Sequence, residues 1–237
     1  MRVVVFATTT AVSLSLATSV AAQDTPTNRE MCENNSSTSA PADQVTACTA
    51  LIQSGSQTPT NLAIEYFDRG HAYSDQKDFA NAVADYSAAI RLNSLDADFF
   101  VNRGLSYQRQ GDLARALADY SAAIRLNSQH ASAFQNRGLI YAEQKDYDRA
   151  IADFSQVIRI TPHDDWALTD RGEVYYRKRD YVRAIADFDR ALEVKSNEQA
   201  LYGRGLIELA SGHKAEGAAD IARAKTINPN VAEDFGS

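Results

Sequence analysis

The side chains of this 237-residue sequence that could do chemistry are four histidines, two cysteines and scattered carboxylates. A helical zinc site needs two histidines one turn apart with a nearby acid, as in H-E-x-x-H. His71, His130, His163 and His213 offer no such spacing. Asp164 and Asp165 are adjacent in a turn, which suits a solvated helix cap better than an acid/base couple. No G-x-S-x-G elbow, P-loop or dinucleotide fingerprint occurs. The chain is therefore expected not to be an enzyme and to carry no metal and no cofactor. The cysteines point to structure instead. Cys32 and Cys48 lack the C-x-x-C redox spacing, and a zinc site needs four ligands. Two cysteines in an exported chain suggest a disulfide. Closing a loop of that size stabilises by roughly 3 kcal/mol.

Export is itself an expectation from the first residues. Arg2 precedes an apolar stretch from Val3 to Val20, and Val20-Ala21-Ala22 places small residues at the −3 and −1 positions of a signal-peptidase site. Thr8, Thr9, Thr10, Ser13 and Ser15 interrupt the stretch, which argues against a retained membrane span. Cleavage after Ala22 would leave a periplasmic or secreted protein with no integral membrane segment. The whole chain carries 24 basic and 31 acidic residues, a formal charge of -7. An acidic surface offers no field to a phosphate backbone or an anionic membrane, so nucleic acid is not expected as a partner.

The elements that hold these residues follow from a repeat. Arg-Gly recurs at 69–70, 103–104, 137–138, 171–172 and 204–205, in steps of 34, 34, 34 and 33 residues. A period of that length marks a stack of supersecondary units. In each unit two helical patterns follow one another. Phe79, Ala82, Val83, Tyr86 and Ile90 recur at three- and four-residue spacing, one apolar stripe. Asp78, Asp112, Asp146 and Asp180 precede these stripes at the N-cap position. The links before them, such as Gln76-Lys77, are too short for anything but an antiparallel neighbour, so the unit is a helical hairpin.

With these features the chain resembles the tetratricopeptide repeat (TPR) family over residues 61–229. The small residue of the first helix is Gly70, Gly104, Gly138, Gly172 and Gly205, and three residues on stand Tyr73, Tyr107, Tyr141 and Tyr175, with Glu208 in the fifth copy. The second helix carries Ala82, Ala116, Ala150, Ala184 and Gly217, then the large Tyr86, Tyr120, Phe154, Phe188 and Ile221. Pro162 and Pro229 end two of the copies. The resemblance implies an all-α fold, a right-handed superhelical α-solenoid, with repeats at 61–94, 95–128, 129–162, 163–196 and 197–230, the last degenerate. Residues 23–60 read as an N-terminal cap with a helix near 41–54, and 231–237 as a tail. Two features depart from the family. Arg stands before every Gly where Leu is usual, and Asp85, Asp119, Asp153, Asp187 and Asp220 recur in the second helices. We expect these to pair as a ladder, worth roughly 0–1 kcal/mol each if the pairs lie at the surface.

By the same resemblance the first helices line a concave groove that takes a peptide or protein segment. Its positions are Ile64, Phe67 and His71; Val101, Leu105 and Gln108; Gln135 and Leu139; Trp166, Glu173 and Tyr176; Tyr202 and Leu206. Trp166, the single tryptophan, is the foremost anchor, since Trp and Tyr dominate binding hot spots. Phe67 and His71 stand where some relatives clamp a terminal carboxylate with Lys and Asn, which favours an apolar or mixed ligand. The expected function is an exported protein-interaction adaptor. The alternative is a self-associating scaffold of the cell envelope, a homo-oligomer.

Overall fold

The computed structural model describes residues 27–33 and 40–235; the expected signal peptide lies outside them. Thirteen helices follow one another among the described residues: α1 (Asn28–Cys32), α2 (Pro41–Ser54), α3 (Pro59–Asp75), α4 (Phe79–Leu92), α5 (Ala97–Arg109), α6 (Leu113–Leu126), α7 (Ala131–Glu143), α8 (Tyr147–Ile160), α9 (Asp165–Arg177), α10 (Tyr181–Val194), α11 (Glu198–Ala210), α12 (Lys214–Ile227) and α13 (Val231–Asp234). From α3 to α12 they pair as five antiparallel hairpins, each stacked on the next. The chain is an all-helical solenoid.

Local chemistry sets each hairpin. The side chains of Asp78, Asp112, Asp146 and Asp180 accept the backbone N–H of Asn81, Arg115, Arg149 and Arg183, capping the second helices. The residue before each cap is left-handed: Lys77, Gly111, Lys145, Arg179 and, in the fifth copy, Gly212. That conformation turns the chain so that the N–H of Asp146 reaches back to the carbonyl of Tyr141 at 2.8 Å, with the same bond in the other copies. The helices of a pair then close on a glycine. A Cβ placed on Gly138 would lie 2.8 Å from Cε1 of Phe154, inside contact distance. Tyr86, Tyr120, Phe154 and Phe188 are fully buried against these glycines.

The recurring Arg and Asp do pair, and more deeply than a surface ladder. Arg69, Arg103, Arg137, Arg171 and Arg204 each hold an Asp sixteen residues on through Nε and Nη2. For Arg137 and Asp153 both bonds are 2.8 Å, and the Asp153 side chain is 6% exposed. The third nitrogen points the other way along the stack. Nη1 of Arg103, Arg137 and Arg171 donates to Ser87, Ser121 and Ser155 on the preceding second helix. Arg69 uses Thr49 of α2 in that role, and Arg204 uses Asp189. Each guanidinium thus joins three helices, and the expectation of weak surface pairs is corrected. Burial makes the fork hard to replace, because a carboxylate left unpaired inside the stack would keep its desolvation cost.

The ends close differently. At the front, α1 is bonded to α2 through Cys32–Cys48, with Cα atoms 4.8 Å apart. Gln44 Nε2 also donates to the Cys32 carbonyl at 2.8 Å. At the back, Val231 of α13 is fully buried beside Leu201 and Ala224. No helix among the described residues is long and apolar enough to cross a membrane.

Candidate partner-binding groove

Successive first helices touch one another directly, α3 with α5, α5 with α7, α7 with α9 and α9 with α11. The second helices make no comparable contact. The first helices are therefore on the inside of the curve, and their free faces form one continuous inner surface.

The residues expected on that surface divide into several kinds. Ile64, Leu139 and Trp166 are open to solvent, at 44%, 40% and 52% exposure. Leu105 and Leu206 are half-buried. Val101 does not belong with them. It is only 7% exposed and packs in the cluster of Tyr107, Tyr120 and Ile140, because adjoining helices converge over it. Phe67 and His71 meet edge to face at 4.5 Å, and Phe67 also stacks on Phe99. Burial lowers the His71 pKa, with Asp75 and Asp98 opposing, and its Nε2 is enclosed without a hydrogen-bond partner. This ring is packing more than contact surface.

Five of the expected residues are tied to neighbours. Gln108 accepts the Tyr120 hydroxyl at 2.8 Å. Glu173 pairs with Arg177 at 2.6 Å on the same helix. Gln135 reaches across from α7 to donate to Asp170 on α9. Burial pushes the Asp170 carboxyl up to about 7, a rise that Gln135 moderates and Glu173 and Asp164 add to. Asp68 is likewise raised, to about 6, by burial and then by Glu33 and Glu65. Tyr176 and Tyr202 face a ring from beyond the repeats, Phe235, at 5.4 and 5.5 Å.

Asp68, Asp170 and Phe235 were absent from the expected set. The first two share a register with Asn102 and Asn136, one polar position 34 residues apart, and that periodicity was the signal available for them. Phe235 follows the last repeat, and no period reaches it.

Two concavities open on this surface. One, of ≈ 500 Å³, is bordered by Leu105, Gln108, Arg109, Asn136, Leu139 and Glu143. The other, of ≈ 210 Å³, is bordered by Leu139, Glu143, Asp170, Glu173 and Arg177. They meet at Leu139 and Glu143, so an apolar side chain lies between two charged recesses. A larger hollow of ≈ 580 Å³ sits at the inter-repeat turns around Asn93 and Asn127 and is open to solvent. Among the described residues no group of three or more His, Cys, Asp or Glu is placed to hold a metal ion.

Stacked helical hairpins with one continuous inner face define a helical-repeat protein of the interaction type. Tetratricopeptide repeat models match residues 101–165 and 169–232, and a TPR repeat model matches 70–111. The chain belongs to the tetratricopeptide repeat family. No curated protein matches it by sequence. Solved structures resemble it in fold. PilF of Pseudomonas aeruginosa superposes with a TM-score of 0.71 at 16% identity, covering 87% of this chain and 91% of that one. YrrB, described as a TPR protein with an unusual peptide-binding site, gives 0.64 at 18% identity over 78% and 94%. MamA of Desulfovibrio magneticus gives 0.64 at 16% over 71% and 96%. TPR stacks are generally non-enzymatic scaffolds, and protein–protein interaction is the class of function this fold supports.

Proposed function

We propose that the protein is an exported adaptor that binds a peptide or protein segment along its inner face. The observation that carries this reading is the row Leu105, Leu139 and Trp166. Leu139 and Trp166 are exposed and Leu105 is half-buried, all three lie on first helices, and two of them border the joined concavities. Apolar surface kept at such positions marks interaction sites. The recesses on either side of Leu139 carry Arg109, Arg177, Glu143, Asp170 and Glu173, so the ligand is an apolar segment with charged groups of both signs. The peptide-binding site named for YrrB agrees with this use of the fold. The disulfide agrees with an oxidising compartment.

A photo-crosslinking residue at Leu139 tests the reading. Capture in the native compartment that is lost on Leu105→Asp supports it, whereas capture only from a position on the outer surface, such as Val182, overturns it. Mass measurement of the exported protein tests cleavage after Ala22. The scaffold alternative is decided by light scattering: a strict monomer at high concentration excludes it. Val231 already covers part of the last repeat, which weighs against end-to-end stacking.

A further inference from the structure

The slot between α9 and α11 has an occupant from its own chain. Val231 anchors α13 to the end of the stack, and the Phe235 N–H closes the turn on the Val231 carbonyl at 2.9 Å. The Phe235 ring then lies back over the inner face. Its neighbours are Tyr176 at 5.4 Å, Tyr202 at 5.5 Å and Phe188 at 6.4 Å, with the two tyrosines inclined at 66° and 63°. Tilted rings at these separations are the favoured aromatic arrangement. Tyr181 extends the cluster by packing on Tyr176.

One residue opens this slot. Gly203 occupies the register position that holds Asp68, Asn102, Asn136 and Asp170 in the other copies. A Cβ there would lie 2.6 Å from Phe188 and 2.8 Å from Phe235. At this register the fifth copy therefore leaves room for the Phe235 ring between α9 and α11. The walls, Tyr176 and Tyr202, stand on the same helix faces as Trp166 and Leu206, so the slot continues the groove. Its occupant is held weakly. α13 has four residues, too few to persist on its own. Phe235 itself is only half-buried.

We propose that this slot is a binding site for an aromatic side chain of a partner segment, filled in the free protein by Phe235, which the partner displaces. The proposal rests on the inner-face reading above and adds the ligand's chemistry: a Phe, Tyr or Trp entering between α9 and α11. An intramolecular occupant competes at an effective concentration in the millimolar range, so removing it should strengthen binding in trans.

The probe is a synthetic peptide of residues 230–237, titrated against the full chain while the backbone amide of Gly203 is followed by NMR. Phe235→Ala should bind the peptide saturably, and at least about tenfold more tightly than the unaltered protein. A peptide with Ala in place of its Phe should leave the Gly203 signal unmoved, and Tyr202→Ala added to Phe235→Ala should abolish the response. If Phe235→Ala does not fold, Phe235→Leu keeps the apolar fill without the ring and takes its place. No response in either variant overturns the proposal. So does equal response to the Ala peptide, or equal affinity in the unaltered protein. Capture at Leu139 is scored separately. Capture retained while the peptide is ignored sinks the aromatic slot and leaves the groove reading standing, whereas peptide binding without capture at Leu139 supports the slot and sinks the wider groove.

Discussion

Arg137 shows how much of the stack one side chain holds. It forks onto Asp153, donates to Ser121 at 3.0 Å, and lies between the rings of Phe134 and Tyr141. Arg137→Ala leaves a buried carboxylate without a counter-charge, and such losses cost about 3–5 kcal/mol. Chemical denaturation should show a loss in that range. Arg137→Lys should recover only part of it, because an ammonium cannot reproduce a planar fork. Full recovery would show that charge alone matters there. The groove carboxylates give a prediction of opposite sense. Asp170 binds its proton more tightly folded than unfolded, so its contribution to stability is complete below about pH 4 and is lost as pH rises through about 7. Asp170→Asn should match the unaltered protein in melting temperature near pH 4 and exceed it increasingly towards pH 8. A constant difference across that range would refute the assignment. His71, lowered by burial, has the opposite pH dependence but is common to both proteins and cancels. For ligand binding, Trp166→Ala should abolish partner capture in a pull-down, and undiminished capture would remove Trp166 from the site. At this scale the sequence was informative where a pattern recurred. Arg and Asp at a fixed separation foretold their pairing, but their burial depends on how adjacent repeats close over them. Gln135 and Asp170 meet across two repeats, and nothing in either local pattern announces that contact.

The helices themselves were the most legible level, because caps, stripes and short links act within a few residues of one another. Asp at the N-cap, glycine against a ring and a one-residue left-handed turn are each visible in the sequence or follow from it. The turn carries a testable cost. Lys77, Lys145 and Arg179 adopt φ of 60°, 62° and 61° where Gly111 and Gly212 serve in other copies. A left-handed L-residue costs roughly 1–2 kcal/mol, and glycine gives back about 0.5–1 of the difference through the unfolded chain. Lys145→Gly should therefore stabilise the protein by about 0.5–1 kcal/mol in denaturant unfolding. Lys145→Ala, which keeps the Cβ, should not. Equal gains from both would point to the lysine side chain rather than the backbone. α13 was less legible. Four residues carry too short a pattern to show a face, and the placement of Phe235 depends on Gly203, more than thirty residues upstream.

A solenoid couples each repeat only to its neighbours, so its stability is a chain of local terms and its ends are the weak points. Here the front end is closed by α1 and α2, the Cys32–Cys48 bond and the Arg69–Thr49 contact that continues the arginine ladder. The repeat period foretold the stack; the curve, and the depth of each groove residue within it, come from helices of different hairpins meeting. Val101 was misplaced for that reason: its helix face is right, but the neighbouring helix covers it. Nearest-neighbour coupling also predicts how the protein loosens. Removing the disulfide with Cys48→Ser should cost roughly 3 kcal/mol by the chain-entropy argument, but the loss should not spread evenly. Hydrogen exchange should quicken across α1 to α3, weaken in effect through α4 and α5, and leave α9 to α12 close to the unaltered protein. That gradient separates a capped array from a single cooperative unit, in which every amide would exchange faster by the same factor. Because the aromatic slot lies at the far end, Phe235→Ala should quicken exchange in α11 and α12 while α1 to α5 keep their protection, and the two variants together should add without interacting.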